Sequence, residues 1–419
     1  MRKKVAIILL IAVCLVEAGL LLYQVPAVHD RVYWRLDEFQ AEVRGYLYPH
    51  PQSISTPDQA RLAMMQASLT AAATGRAVLS PTAGATEADL PTVTPTATRY
   101  RPPTPASVTL PFAQHEYQGY NNCGPATLSM ALHFWGWDGD QLTAAAYLKP
   151  SHDDKNVMPY EIERFVLDQT KYGILVRTGG TLDDMRNLIA AGFPVVIEKG
   201  LEVIEGNKGW MGHYDFVTGY FDDKRTFLTQ DSYLGPNHSV DYDSLMYDWR
   251  AFNFIYLVVY PKDREKEVTD ILGPNADLET NQTNTLNLAL NEAQSLRGQS
   301  LAFAYFNLGS THVSRKEYVD AAYAYDMARF QGLPWRFLWY QTGPYFAYYY
   351  AGRYQDVIDL ANSTLYAQEN LEESWYWRGL ARMQLGDRPG AIDDWREALL
   401  KHPGFAPALD QLSQIGETS

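Results

Sequence analysis

The chain has 419 residues, of which 46% are hydrophobic and 20% are charged. One compact core rarely holds so many residues, so we expect two domains joined by connecting segments. The formal net charge of −14 argues against non-specific nucleic-acid binding, which needs a basic surface.

An apolar segment follows the basic N-terminus. Val5 to Tyr23 is nineteen residues long, and only Glu17 interrupts it. That length is about enough for a helix to cross a bilayer. The basic residues at positions 2–4 favour a cytoplasmic N-terminus. We therefore predict a single-pass cell-membrane anchor with the rest of the chain extracytoplasmic, the alternative being a cleaved signal peptide.

Changes of composition divide the chain into six segments. Residues 28–75 alternate charged and apolar groups, as a stalk helix does, and residues 76–108 are rich in Thr and Pro, which is typical of an extended spacer. The predicted organisation is an anchor or signal at 1–27, a stalk at 28–75, a linker at 76–108, an α+β domain at 109–262, a connector at 263–285 and helical repeats at 286–419.

The α+β domain starts with helical patterns and continues with strands. Apolar periodicity predicts helices at 123–135, 160–170 and 182–191, and runs rich in Val, Ile, Phe and Tyr predict strands at 194–198, 213–221, 226–231 and 254–260.

The C-terminal segment contains a repeat. Gly309, Gly343 and Gly379 lie 34 and 36 residues apart, and residues 321, 357 and 391 keep this spacing. A period near 34 is typical of tetratricopeptide helix pairs. Residues 286–412 resemble the tetratricopeptide family, and 373–403 are the clearest unit. The resemblance implies an all-α repeat domain that can bind a protein partner.

Cys123 is the only cysteine outside the apolar N-terminal segment. It opens an apolar helical pattern, so it should lie at a helix N-terminus, where free amides and the helix dipole stabilise a thiolate. Gly124 lets a substrate backbone come close, and Pro125 suits a first helical turn. The alternative is a buried structural thiol.

A thiolate nucleophile needs a base and an orienting group for that base. His213 follows the Gly-rich loop 209–212 and opens a strand, and Asp231 ends the next strand. If the hairpin register pairs Asp231 with Asp215, Asp231 shares a sheet face with His213. If it pairs Asp231 with Phe216, the two side chains lie on opposite faces. Asp215 is the competing orienter, although we interpret it as an exposed strand carboxylate.

The oxyanion formed during acyl transfer needs two hydrogen-bond donors. The amide of Cys123 can supply one. The side chain of Gln118 or of Gln114 can supply the other.

Together these segments resemble the bacteriocin-processing, double-glycine leader peptidase family, a group of papain-fold cysteine peptidases. The segments that carry the resemblance are 110–112, 122–126, 192–197 and 212–220, with Asp231 following them. In the papain pattern the glutamine stands six residues before the cysteine, where this chain has Tyr117.

The resemblance implies a papain-like peptidase domain at 109–262. It implies Cys123 as nucleophile, His213 as general base and acid, Asp231 as its orienter, and Gln118 as oxyanion donor. No cofactor or metal is implied, and the partner is a peptide or protein substrate.

We therefore predict a membrane-anchored, extracytoplasmic cysteine peptidase whose repeats recruit protein. One alternative is a catalytically silent, peptidase-like scaffold that acts through its repeats. Another is an amidase or acyltransferase with the same triad. No multi-span domain or nucleotide-binding motif accompanies these segments, so export coupled to leader cleavage is not predicted.

Overall fold

A computed structural model describes residues 104–111, 114–151, 154–203 and 209–418, with isolated positions at 14, 17, 19, 21, 23, 54, 56 and 57. Most of the predicted anchor, stalk and linker lies outside these residues. The five described positions between 14 and 23 are helical. Within the described residues, no helix is both long and apolar enough to cross a bilayer. The membrane anchor therefore stays a prediction.

The first domain is built on one antiparallel sheet of seven strands, ordered β2-β7-β3-β4-β5-β6 with β1 paired to β4. The strands are β1 Ser107–Thr109, β2 Tyr172–Arg177, β3 Val195–Val203, β4 Gly209–Phe221, β5 Thr226–Asp231, β6 Gly235–Asp241 and β7 Tyr256–Pro261.

Helices cover both faces of this sheet. They are α1 Cys123–His133, α2 Gln141–Leu148, α3 Pro159–Gln169, α4 Leu182–Ala190 and α5 Tyr242–Arg250. Apolar residues of α1 to α3 pack against one face, which carries Tyr214 and Phe216. Those of α4 and α5 pack against the other, which carries Val195 and Val217. The alternation along β4 thus separates two cores.

The predicted linker ends earlier than expected. Residues 107–109 pair with 219–221 of β4, on the edge that β3 leaves free beyond Val217. The Tyr220 hydroxyl also donates to the carbonyl of Pro105 at 2.7 Å. Val108 and Thr109 are β-branched, and such residues favour strands at a half-buried sheet edge. The sheet therefore includes Ser107 and Val108, which precede the predicted boundary at 109.

The C-terminal region is entirely helical in its regular structure. The helices are α6 Glu265–Leu272, α7 Leu278–Ser295, α8 Gly298–Ser314, α9 Tyr318–Gln331, α10 Gly343–Tyr350, α11 Tyr354–Ala367, α12 Glu372–Gln384, α13 Arg388–Lys401 and α14 Ala406–Gln414. The predicted connector 263–285 contains α6 and the start of α7. Asn281 of α7 donates to the carbonyl of Thr178 at 2.8 Å, which ties this helix to the first domain.

The spacing of the glycines has a packing cause. A Cβ atom on Gly309 would lie 2.7 Å from the ring of Tyr325, and one on Gly379 would lie 2.6 Å from the ring of Trp395. Each aromatic residue stands on the next helix, so α8–α9 and α12–α13 pack in the same way. Buried residues Ala321, Val357 and Ala391 recur in the second helix of successive pairs.

The two domains pack against each other. The ring of Trp210 in β4 stacks on Phe337 with centroids 5.0 Å apart, and Phe252 stacks on the same ring. The side-chain amide of Asn156 donates to the carbonyl of Trp339 at 2.5 Å. The segment between α9 and α10 therefore lies against the sheet at the start of β4.

Candidate active site

Cys123 is the first residue of α1, as the sequence predicts, and it is half-buried. Burial by itself would raise the pKa of its thiol. The hydrogen bond and charge of His213, the backbone amide of Tyr214 and the charge of Lys149 together outweigh burial and lower that pKa. The sulfur therefore lies where its thiolate is stabilised, and it is not sealed in apolar packing.

His213 and Asp231 form a buried pair. Nε2 of His213 lies 3.0 Å from Oδ1 of Asp231. An ionised carboxylate can only accept, so Nε2 donates and Nδ1 is left to face the sulfur of Cys123. Burial lowers the pKa of His213, but Asp231 and Cys123 raise it to about 10. Burial opposes ionisation of Asp231, whereas His213, Lys199 and the amide of Leu234 lower its pKa.

A β-bulge decides which face Asp231 occupies. At the turn end of the hairpin, Phe221 pairs with Thr226 and Gly219 with Leu228. If this register continued along the two strands, Asp231 would lie opposite Phe216. After the bulge Val217 pairs with Thr229, and the same extension sets Asp231 opposite Asp215. The shift of one residue brings Asp231 to the face of His213.

The interpretation of Asp215 as an exposed strand carboxylate is wrong. Asp215 is 0% exposed, and its Oδ2 lies 3.8 Å from Nζ of Lys199, which is itself 3% exposed. Burial and the charge of Asp231 raise the pKa of Asp215. Lys199 pairs with His213 across β3 and β4, so it places a cation beside both carboxylates. The sequence does not predict this, because strand pairing brings distant residues together.

The two candidate glutamines have other surroundings in the structure than the predicted oxyanion site. The side-chain oxygen of Gln118 accepts from the hydroxyl of Ser232 at 3.0 Å. The backbone N–H of Gln118 donates to the carbonyl of Ser232 at 2.9 Å. Gln114 is exposed. Gln118 therefore braces the segment after Asp231, and neither residue lines the described cavity beside Cys123.

A small cavity of about 10 Å³ adjoins the sulfur. Its lining comes from the loop before α1, the segment before α3, the starts of β3 and β4, and the repeats: Asn121, Cys123, Gly124, Lys155, Asn156, Val157, Glu198, Gly212, His213, Tyr214 and Tyr340. Burial raises the pKa of Glu198 well above its usual range, and the nearby Cys123 adds to this shift. Burial therefore favours the neutral form of this carboxyl.

Two further residues of the site were not predicted from the sequence. Nζ of Lys149 donates to the carbonyl of Asn121 at 2.9 Å and to that of Tyr120 at 3.4 Å, which fixes the loop before the nucleophile. Tyr340 comes from the C-terminal helical region, and its hydroxyl accepts from the backbone amide of Gly212. Neither residue belongs to a local motif, so only the tertiary fold reveals them.

One side-chain cluster could hold a cation. Donor atoms of Asp154, Glu372 and His402 lie within 4.8 Å of one another at the contact between the domains. Nδ1 of His402 already pairs with Glu372 at 2.9 Å and lies 3.7 Å from Asp154. These three side chains thus contact one another across the boundary between the domains.

The comparisons with known proteins concern the first domain. Residues 109–257 match the model of the Peptidase_C39 like family. A crystal structure from Bacillus anthracis, named there as a candidate C39-like peptidase, is 15% identical and covers 36% of this chain and 96% of its own, with a TM-score of 0.29. No curated protein matches. The first domain of this chain is therefore similar to the C39-like peptidases, a papain-like family.

Proposed function

We propose that this protein is a cysteine peptidase that hydrolyses peptide bonds through Cys123, His213 and Asp231. The observation that carries the proposal is the contact chain from Asp231 through His213 to Cys123, in which the pKa of the thiol is lowered and that of the imidazole is raised. A thiolate beside an imidazolium is the reactive form of a thiol peptidase.

The reaction follows from the two protonation states. The thiolate of Cys123 attacks the peptide carbonyl carbon, and the carbonyl electrons move to oxygen. When the tetrahedral intermediate collapses, His213 gives its proton to the leaving amine and a thioester remains. His213 then takes a proton from water, whose oxygen attacks the thioester and releases the carboxylic acid and Cys123.

The first test is labelling with a thiol-reactive peptide electrophile. Wild type should label quickly at neutral pH, and Cys123→Ala should not label. The labelling rate of His213→Ala should be lower than that of wild type by a factor of about 10² or more. Equal labelling of wild type and His213→Ala would show an unactivated thiol and refute the proposal.

We also propose that the repeats, of tetratricopeptide type, form part of the substrate-binding surface. A second cavity of about 300 Å³ lies between the end of β2, α7, α8 and residues 340–343. It shares Glu198 and Tyr340 with the cavity beside Cys123. A peptide held between the domains would therefore reach the sulfur past Tyr340.

A silent scaffold is the second candidate. It is favoured by the small size of the cavity at Cys123, which Tyr340 helps to close. Tyr340→Ala separates the two candidates, because it should speed labelling of Cys123 if Tyr340 only limits access to an activated thiol. Slow labelling in both proteins would support the scaffold.

The location outside the cell membrane is part of the proposal. It depends on the apolar segment Val5 to Tyr23 and its basic flank. Protease added to intact cells should cut the tagged C-terminus of the full chain. Protection of that tag until the cells are lysed would place the domains on the other side.

A further inference from the structure

We propose that Asn121 is a catalytic residue whose side-chain amide donates a hydrogen bond to the oxyanion of the tetrahedral intermediate. The inference rests on the proposed peptidase function and replaces Gln118 in the predicted role. In the step concerned, the sulfur–carbon bond forms, the carbonyl π bond breaks, and the negative charge moves from sulfur to oxygen. That oxygen needs donors already in place.

The first support is an unused buried donor. Asn121 lines the cavity beside Cys123. Its Nδ2 is buried and has no hydrogen-bond acceptor among the described residues. An unsatisfied buried N–H is costly, so it is rare without a reason. A substrate oxygen arriving in this cavity would satisfy it.

The second support is the fixed backbone of this residue. Asn121 has φ of 50°, in the left-handed region that asparagine tolerates better than most residues. Nζ of Lys149 holds its carbonyl at 2.9 Å. On either side, the oxygen of Gln141 accepts from the amide of Gly119 at 2.8 Å and from Nδ2 of Asn122 at 2.9 Å. The donor is therefore held in place before substrate binds.

The third support is the neighbouring helix terminus. Because α1 begins at Cys123, the backbone N–H of Cys123 is one of the first-turn amides that lack a partner within the helix. Asn121 precedes Cys123 by two residues, and both line the cavity. One backbone and one side-chain donor are thus available at the cavity beside the sulfur.

The test compares two reactions of the same sulfur. Binding of an N-acetylated tripeptide aldehyde creates a tetrahedral adduct with an oxyanion, whereas alkylation by iodoacetamide creates none. The variant is Asn121→Gly in the full chain, because glycine accepts the positive φ that alanine would not. Gln118→Ala tests the other predicted donor, and Gln355→Ala, which changes an exposed glutamine of α11, is the control. A panel of such aldehydes is screened on wild type first.

Asn121→Gly should weaken aldehyde binding by about 10²–10³-fold and slow peptide hydrolysis equally, with the iodoacetamide rate within about twofold of wild type. Gln355→Ala should keep the aldehyde affinity, and Gln118→Ala should lose less of it than Asn121→Gly. Unchanged aldehyde binding by Asn121→Gly overturns the proposal, as does an equal loss of alkylation, which would mean that Asn121 acts on the thiolate.

Failure of the underlying function gives a different result. If wild type reacts with iodoacetamide at the rate of a free thiol and binds no aldehyde, the peptidase proposal fails, and the role of Asn121 fails with it. If wild type binds aldehydes and Gln118→Ala alone loses them, the peptidase proposal stands and Gln118 is the donor.

Discussion

Asp231 lies 3.0 Å from His213, and this contact depends on an irregularity in β4, the strand that carries the histidine. Without the bulge near Thr218, the hairpin register would direct Asp231 to the opposite face of the sheet. Nε2 of the buried Gln230 donates to the hydroxyl of Thr218 at 3.0 Å and to Oδ1 of Asn237 at 3.1 Å. Gln230 therefore holds the bulged residue.

Replacing Gln230 tests the bulge. Gln230→Ala should lower the free energy of unfolding by about 1–3 kcal/mol, because it leaves buried polar partners unsatisfied. It should also slow labelling of Cys123, since Asp231 is less firmly positioned. Urea unfolding and the labelling rate measure the two effects. Gln355→Ala, which removes an exposed glutamine of α11, is the control. Wild-type stability and rate in Gln230→Ala would contradict the role given to the bulge.

Asp231→Asn tests the charge behind the imidazole. The variant keeps an oxygen for the amides of Tyr233 and Leu234 but removes the negative charge. The pKa of His213 should fall from about 10 toward its ordinary value near 6.5. The imidazolium is the acid for the leaving amine and exists only below its pKa.

The alkaline limb of kcat/KM for peptide hydrolysis should therefore move to lower pH in Asp231→Asn. The rate at neutral pH should fall by about 10²-fold or more. Asp248→Asn removes a half-exposed carboxylate from the same domain and serves as the control. An unmoved alkaline limb in Asp231→Asn would mean that this carboxylate does not support the imidazolium.

Lys149 should matter for the thiol. Lys149→Met removes a positive charge that lowers the pKa of Cys123 and two hydrogen bonds to the loop before α1. The pKa of Cys123 should rise, so alkylation at neutral pH should slow severalfold. Lys171→Met removes the same charge from an exposed site and should alkylate like wild type. Equal rates in both variants would leave Lys149 with a purely structural role.

Substitution of Gly212 tests the packing between the two domains. A Cβ atom on Gly212 would lie 2.7 Å from the ring of Tyr340 and 2.8 Å from that of Phe252. Gly212→Ala should lower the free energy of unfolding by about 1–3 kcal/mol through overpacking. In the double variant with Tyr340→Ala part of that loss should be recovered. Additive losses in a denaturant-based double-mutant cycle would place Tyr340 away from Gly212.

Patterns that depend on local chemistry were readable in the sequence. The helix after Cys123 and the strands that carry His213 and Asp231 follow from apolar periodicity and turn residues, and the structure has them at 123–133, 209–221 and 226–231. Strand β6 was missed because its sequence begins Gly-Pro-Asn, which suggests a turn. In the structure these residues form a strand because they pair with β5, despite their preference for a turn.

The remaining parts of the site depend on contacts between distant residues. The register alternatives for Asp231 could be stated from the sequence, but the bulge that selects between them could not. Asn121 and Cys123 stand in one motif, yet only the cavity and the unused amide distinguish Asn121 from Gln118. Tyr340 comes from another domain, where its aromatic neighbours suggest packing alone.

The account depends on a Cys123 thiolate held beside a His213 imidazolium, and titration of the thiolate absorbance tests this most directly. The ultraviolet difference between wild type and Cys123→Ala is recorded across the pH range. We predict that thiolate absorbance persists well below the ordinary thiol pKa of about 8.5, and that His213→Ala moves its appearance toward that value. A wild-type thiol that ionises like a free cysteine, unaffected by His213→Ala, would contradict the account.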